Sequence, residues 1–156
     1  MSTNYSPQAL HDFIVKAKAA SYVGDGQPAA SSRPKSHDLA FSDGDFSYLD
    51  SYYGGWDFIG EEVVYHQGEA VWAMNYYGKV TQPDKISAAE AGQTIKASLS
   101  KMYAEGRFLG GFGYTHGDFH YTDTSEGEFT SFTGKEWITR GGEVVYELVY
   151  HGGLVK

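Results

Sequence analysis

Apolar residues recur at helical spacing in two segments of the chain. Ser6-Pro7 opens the first segment with a typical N-cap and first helical residue, and the periodicity predicts an amphipathic helix that ends at about Ala20. Residues 87–90 form a capping box that starts the second helix, which is predicted to end near Gly106. The two apolar stripes consist of Leu10, Phe13, Ile14 and Ala17, and of Ala91, Ile95, Leu99 and Met102. Each stripe suits packing against a sheet.

Elsewhere, apolar and polar residues alternate with a period of two, which predicts strands with one buried face. The predicted strands of the first half cover residues 39–41, 46–52, 58–66 and 70–77. A second meander of four strands is predicted between residues 112 and 155. Short Gly-containing turns separate the strands, so neighbouring strands are expected to be antiparallel.

A seven-residue motif relates the two halves of the chain. Residues 44–50 read Gly-Asp-Phe-Ser-Tyr-Leu-Asp, and residues 117–123 repeat five of these seven positions 73 residues later. After a one-residue insertion the match continues at an offset of 74 residues. Its members include the pairs Glu62 and Glu136, Gly68 and Gly142, Tyr76 and Tyr150, and Gly78 and Gly152. The pattern indicates a tandem duplication.

The repeat predicts an α+β fold in which each half is a helix followed by a four-strand antiparallel meander. Residues 1–156 would then form a single domain of two pseudo-symmetric repeats, at about 6–80 and 84–155. Both helices are expected on one face of the sheet, because the same strand face is bulky and apolar in both halves. A closed barrel of about eight strands is the alternative.

Strand alternation assigns the repeated aromatic residues to this helix-facing side. They are Phe46, Tyr48, Trp72 and Tyr76 in the first half, and Phe119, Tyr121, Tyr146 and Tyr150 in the second. Repeated carboxylates accompany them, namely Asp50 with Asp123 and Glu62 with Glu136. Because they occur in both copies, we interpret these carboxylates as structural groups that accept hydrogen bonds from turn or strand-end amides.

The opposite strand face differs between the halves and is where we predict a ligand site. Glu147 stands where the first half has Ala73, so a carboxylate enters one copy only. The predicted site consists of Tyr53, Trp56, Asn75, Tyr77, Glu147 and His151. Phenol and indole rings around a carboxylate suit a planar cation. A solvated face and a homodimer contact are the other interpretations of this surface.

Composition narrows the possible partners. The net charge is −8 for 156 residues, which argues against direct nucleic-acid binding and against anionic membranes. The absence of cysteine excludes disulfides, thiolate catalysis and Cys-ligated metals. Without a visible secretory signal or apolar span, we expect a cytoplasmic protein that binds a small molecule and needs no metal or cofactor. The composition of residues 24–38 predicts a long loop in the first half only, either a lid or binding loop or a disordered segment.

An enzyme remains an alternative interpretation of the same cavity. The sequence has no phosphate-binding loop, dinucleotide fingerprint or nucleophile elbow. Glu147 and His151 share a strand face, but their Cα atoms should lie about 13 Å apart, too far for a hydrogen-bonded dyad. They could only flank a shared substrate, as in a cofactor-independent isomerase, cyclase or hydrolase.

Four segments together resemble an uncharacterised bacterial domain of unknown function. They are residues 48–55, 60–65, 71–78 and 150–154, together with Ser32-Arg33-Pro34. Domains of this kind frequently follow an XRE-type helix-turn-helix, so the resemblance implies a sensor half without its DNA-binding helices. The duplicated plan is also similar in architecture to gyrase-inhibitor-like drug-binding domains, whose aromatic cleft holds a carboxylate.

Overall fold

Nine antiparallel strands form one sheet in the computed structural model, which describes residues 4–23 and 27–156. The helices are α1 (Pro7–Lys18) and α2 (Ala88–Ala104), and a π-helical turn (Ala19–Val23) extends α1. The strands are β1 (Gln27–Ala29), β2 (His37–Asp43), β3 (Phe46–Gly54), β4 (Asp57–His66), β5 (Glu69–Val80), β6 (Phe112–His116), β7 (Phe119–Glu128), β8 (Ser131–Arg140) and β9 (Glu143–Leu154). The α+β class and the antiparallel sheet are therefore confirmed.

The strand order is β1-β2-β3-β4-β5-β9-β8-β7-β6, so the last strands of the two halves meet at the centre. β5 and β9 pair antiparallel, with Tyr76 opposite Tyr150 in the middle of the register. β1 and β6 form the two edges, and the described sheet is therefore open. The closed-barrel alternative is wrong.

Both helix starts follow the sequence signals. The Ser6 hydroxyl accepts a hydrogen bond from the backbone N–H of Ala9 at 3.1 Å. At α2, the backbone N–H of Glu90 donates to Ser87 and the backbone N–H of Ser87 donates to Glu90, each at 3.0 Å. Such caps satisfy backbone groups that the first helical turn leaves unpaired. The predicted helices are confirmed at their N-termini.

The first half departs from the predicted four-strand plan. Residues 27–29 form β1, which pairs with β2, whereas a loop without its own elements was expected over 24–38. Residues 24–26 of that loop lie outside the described residues. Farther along, Asp38 organises the loop because its carboxylate accepts hydrogen bonds from the side chains of Ser36 and Ser51 and from the backbone of Ser32.

The aromatic strand face forms the core, as its periodicity predicted. Trp72, Tyr121 and Tyr146 have no exposed surface, and Tyr48 has 2%. Helix residues reach this same face: the Phe13 ring of α1 stacks on Phe46 at a centroid distance of 5.0 Å. The elements of both halves therefore contribute to one core cluster.

Candidate functional site

Four carboxylates lie inside this core. Asp50, Glu62, Asp123 and Glu136 are between 1% and 5% exposed. Asp50 pairs across the strands with Glu62, and Asp123 with Glu136. They are mid-strand residues whose hydrogen-bond partners are side chains, so the predicted bonds to turn or strand-end amides are wrong. Burying this many acids is costly unless each one is hydrogen-bonded or paired.

The first cluster consists of Tyr48, Asp50, Glu62 and Tyr76. The Tyr48 hydroxyl donates to Glu62 Oε1 at 2.6 Å, and the Tyr76 hydroxyl donates to Asp50 Oδ1 at 2.6 Å. Burial, followed by the charge of Glu62, raises the pKa of the Tyr48 phenol well above its ordinary value. The phenol therefore stays protonated and acts as a donor.

The second cluster consists of Tyr121, Asp123, Glu136 and Tyr150. The Tyr121 hydroxyl donates to Glu136 in a short hydrogen bond, and the Tyr150 hydroxyl donates to Asp123 Oδ1 at 2.9 Å. These residues occupy the positions that match the first cluster in the repeated sequence. Each half thus contains one tyrosine–glutamate and one tyrosine–aspartate hydrogen bond. Two additions distinguish the second cluster: the Tyr146 hydroxyl also donates to Glu136, at 2.9 Å, and the Tyr121 hydroxyl also donates to Asp123, at 3.4 Å.

A glycine opposite each outer tyrosine makes this geometry possible. Gly60 pairs with Tyr76 and Gly134 pairs with Tyr150 in the strand register. A Cβ atom at either glycine would overlap the phenol of the paired tyrosine. The missing side chain lets the ring lie across the neighbouring strand, where its hydroxyl reaches the aspartate.

Lys18 supplies the positive charge of this core. It lies in the last turn of α1, is 3% exposed, and its Nζ is 3.0 Å from both oxygens of Glu62. Its ammonium also lies 5.1 Å from the Phe108 ring centroid. It is the one buried lysine or arginine among the described residues, and it faces four buried carboxylates. Full ionisation would leave the core with excess negative charge.

The imbalance appears in the pKa values of the aspartates. Burial first, and the charge of Glu62 second, raise the pKa of Asp50 to about 7. Burial and the charge of Glu136 likewise raise the pKa of Asp123 to about 7. Burial also raises the pKa of Glu136, although hydrogen bonds from Tyr121 oppose the shift. Near neutral pH these aspartates are therefore protonated far more readily than an exposed carboxyl group.

A cavity of about 520 Å³ borders the first cluster. We call it the first-half cavity. Its polar wall includes Asp50 and Tyr76, and its other walls come from strand aromatics and from α2. These walls include Tyr52, Phe58, Tyr146, Ala91, Gly92 and Ile95. The volume and the mixture of apolar walls with few polar groups are typical of small-molecule sites.

Ser21 adds an unpaired polar group to the same cavity. Its side chain lies in the π-helical turn, lines the cavity and is 4% exposed. Within the described part of the chain, its hydroxyl oxygen has no hydrogen-bond partner. An unsatisfied buried hydroxyl is costly, and π-helical turns frequently occur at functional sites. A bound molecule would supply the missing partner.

The corresponding space beside the second cluster is almost filled. It measures about 40 Å³ and is lined by Asp123, Glu136 and Tyr150 of the second cluster and by Tyr76 of the first. The rest of its wall consists of Lys18, Met74, Leu99, Tyr103, Phe108 and Leu148. The Phe108 ring packs edge-on against Trp72 and Phe132, with centroids 5.8 Å and 5.5 Å away. Aromatic packing thus occupies the space that is open in the first half.

The structure brings four of the six sequence-predicted site residues together, on the other side of the sheet. Tyr53, Asn75, Tyr77 and His151 line a groove of about 430 Å³, which we call the open-face groove. Its charged wall residues are Arg33 and Glu61.

The other two predicted residues lie elsewhere. Glu147 is half-exposed, with Oε1 3.7 Å from Lys79 Nζ. Trp56 lies in the β3–β4 turn and is 50% exposed.

The open face also carries an apolar row relevant to the predicted homodimer. Ile59, Tyr77 and Val149 are cross-strand neighbours and are 53%, 42% and 58% exposed. A homodimer would bury this row, and that interface stays a prediction.

The cavity residues Ser21, Tyr52, Phe58 and Tyr146 are absent from the sequence-based site. The available signal was the repetition of two carboxylates on a face predicted to be core.

The fold and the buried clusters define a class: an α+β domain whose antiparallel sheet holds two similar clusters of buried tyrosines and carboxylates. The family model described as "Domain of unknown function (DUF5680)" matches residues 50–155, and the chain belongs to this family. The matched region contains Asp50, Glu62, Tyr76 and the whole second cluster. Comparisons with curated proteins and with solved structures give no significant match.

The resemblance to a domain of unknown function is therefore confirmed, whereas the helix-turn-helix association and the gyrase-inhibitor likeness stay predictions. Neither described helix is long and apolar enough to cross a membrane. Among residues 4–23 and 27–156, no group of three or more His, Asp or Glu side chains could hold a metal ion.

Proposed function

We propose that this protein is a small-molecule-binding, sensor-like domain whose ligand occupies the first-half cavity. The observation that carries the proposal is the unpaired hydroxyl of Ser21 in a cavity that also exposes Asp50. Two polar groups separated by aromatic walls can fix the orientation of a ligand while the apolar contacts provide affinity. By the family resemblance, the sensor would act together with a DNA-binding helix-turn-helix.

A planar cation is the ligand class that these walls favour. The Asp50 carboxylate offers charge pairing, and the rings of Tyr52, Phe58 and Tyr146 offer stacking and cation–π contacts. The net charge of −8 attracts cations at long range. This keeps the ligand class predicted from the sequence and moves its site from Glu147 on the open face to Asp50 in the core.

We interpret the two clusters as products of a tandem duplication, with both helices covering the same sheet face. In this interpretation one copy kept or acquired a cavity, while the other was filled by Phe108.

A cofactor-independent enzyme would use the same cavity. Asp50→Asn separates the two functions, because it should abolish turnover in an enzyme but only lower the ligand affinity of a sensor.

The proposal is tested by blocking the cavity. A Cβ atom at Gly92 of α2 meets nothing within 4 Å, so Gly92→Leu projects a side chain into the cavity without a backbone clash. Leucine also has a higher helix propensity than glycine, so the variant should fold. Gln93→Leu, at the exposed neighbouring position, is the matched control.

The probe is N-methylacridinium, a planar and permanently charged dye, followed by fluorescence anisotropy. Wild type and Gln93→Leu should bind it equally, and Gly92→Leu should bind at least tenfold more weakly. Uncharged acridine at pH 8 should bind wild type more weakly than the charged dye does. Equal affinity of wild type and Gly92→Leu for the charged dye would remove the first-half cavity as the site.

A further inference from the structure

We propose that the first-half cavity takes up its cation in exchange for a proton. The carboxyl O–H bond of Asp50 breaks, the proton passes to the buffer, and the carboxylate pairs with the positive charge of the ligand. This inference rests on the proposed function and adds the rule that ligand binding and proton release are coupled.

The pairing of the four carboxylates provides the geometric reason. Asp50 and Glu62 face each other across β3 and β4. Lys18 places its ammonium 3.0 Å from both oxygens of Glu62, so that acid has a cation of its own. Asp50 instead accepts a hydrogen bond from the neutral phenol of Tyr76. A ligand cation beside Asp50 would do there what Lys18 does beside Glu62.

Charged and titratable groups surround Asp50 or line the cavity beside it. They are Asp38 from β2, Tyr48 and Tyr52 from β3, Glu62 from β4, Tyr76 from β5, Tyr146 from β9, Lys18 from α1 and Lys96 at the cavity wall on α2. Two of them are acids that disfavour a second negative charge, and Lys18 is engaged by Glu62. With its pKa raised to about 7, Asp50 carries a proton that a cation can displace near neutral pH.

The second cluster provides an internal control. Asp123 is likewise paired with a glutamate, Glu136, and accepts a hydrogen bond from a phenol, that of Tyr150. Burial and the charge of Glu136 raise the pKa of Asp123 to about 7 as well. Its adjacent space is only about 40 Å³, which is too small for a planar organic cation. Asp123 should therefore hold its proton without exchanging it for a ligand.

The experiment is isothermal titration calorimetry with N-methylacridinium at pH 6 and at pH 8, each in two buffers that differ in ionisation enthalpy. The difference between the two observed binding enthalpies, divided by the difference between the two buffer ionisation enthalpies, gives the number of protons released. We expect net proton release on dye binding that is larger at pH 6 than at pH 8, and a Kd that falls as the pH rises and levels off above the pKa of Asp50. Asp123→Asn should keep the proton release, and Asp50→Asn should lose it.

Tyr76→Phe keeps the carboxylate and gives a second readout. The phenol donor lowers the pKa of Asp50, so removing it should move the midpoint of the Kd–pH curve to higher pH. Dye binding with equal enthalpies in both buffers and a Kd independent of pH between 6 and 8 would overturn the exchange but leave the binding site intact. Absence of dye binding to wild type would overturn the proposed function and, with it, this inference.

Discussion

The two clusters hold equivalent residues in equivalent hydrogen bonds, yet one borders a cavity of about 520 Å³ and the other a space of about 40 Å³. The phenol–carboxylate pairs are therefore insufficient to define a binding site. What packs over them makes the difference: Phe108 fills the space in the second half, and α2 leaves it open in the first. The same set of residues thus borders open space in the first half and packed aromatic rings in the second.

The two clusters also compensate their glutamates differently. Glu62 is paired with the ammonium of Lys18, whereas Glu136 accepts hydrogen bonds from the two phenols of Tyr121 and Tyr146. Phenols carry no charge, so the only buried cation of the described residues lies directly against the first cluster. The predictions below test this difference.

The largest effect is expected from removing that cation. Lys18→Met leaves Glu62 buried without its partner, and breaking a buried ion pair from one side costs about 3–5 kcal/mol. The free energy of unfolding, measured by urea denaturation, should fall by this amount. Lys16→Met, which breaks the exposed pair with Asp43, is the control and should change it by less than about 1 kcal/mol. Similar small losses in both variants would show that Lys18 has no special role.

Phe108→Ala should partly convert the closed cluster into an open one. Removing a buried phenylalanine side chain costs about 3 kcal/mol or more, because the surrounding atoms fill the space only partially. The variant should lose stability and gain space beside Asp123 for a second N-methylacridinium. Urea denaturation and the binding stoichiometry check the two effects. A stability close to wild type would mean that Phe108 does not plug the second half.

The raised aspartate pKa values predict how stability depends on pH. A carboxyl group whose pKa is higher in the folded than in the unfolded protein stabilises the fold fully below about pH 4, and this contribution is lost as the pH rises to about 7. The slope in that window is about 1.4 kcal/mol per pH unit for each group. Asp50→Asn imitates the protonated acid and does not titrate.

The stability deficit of Asp50→Asn relative to wild type should therefore shrink by about 2 kcal/mol between pH 5 and pH 7. Urea denaturation at both pH values measures this change, and Asp123→Asn should behave in the same way. A deficit that stays constant would mean that the aspartates are ionised throughout this range.

The smallest effect is expected at Ser21. Ser21→Ala removes a buried hydroxyl that lacks a partner among the described residues, so the free protein should gain up to about 1 kcal/mol of unfolding free energy. Affinity for a ligand able to hydrogen-bond at this position should fall. Loss of stability in the unliganded variant would indicate that the hydroxyl is already satisfied.

The sequence predicted the class, the helices, eight of the nine strands and the aromatic core because these follow from periodicity and capping. Phe46 and Tyr48 lie two residues apart on one strand and Trp72 and Tyr76 lie four apart on another, so the face that each pair shares is visible without coordinates. The same reasoning assigned the wrong hydrogen-bond partners to Asp50 and Glu62. Their repetition suggested bonds to backbone amides, because local sequence does not reveal that Gly60 allows Tyr76 to reach an aspartate two strands away.

The candidate site was harder to predict because it depends on contacts between distant segments. Tyr53, Asn75, Tyr77 and His151 do meet, since neighbouring strands and their register determine the open face. The first-half cavity combines Ser21 after α1 with Gly92 of α2 and Tyr146 of β9. No periodicity encodes how α2 rests on the sheet, or that Phe108 fills one half only.

The most direct test of the central claim is a crystal structure of the protein with N-methylacridinium. The account predicts the dye inside the first-half cavity, with its ring among Tyr52, Phe58 and Tyr146 and its charge next to Asp50. Dye in the open-face groove beside Tyr53 and Asn75, with the first-half cavity empty, would contradict it.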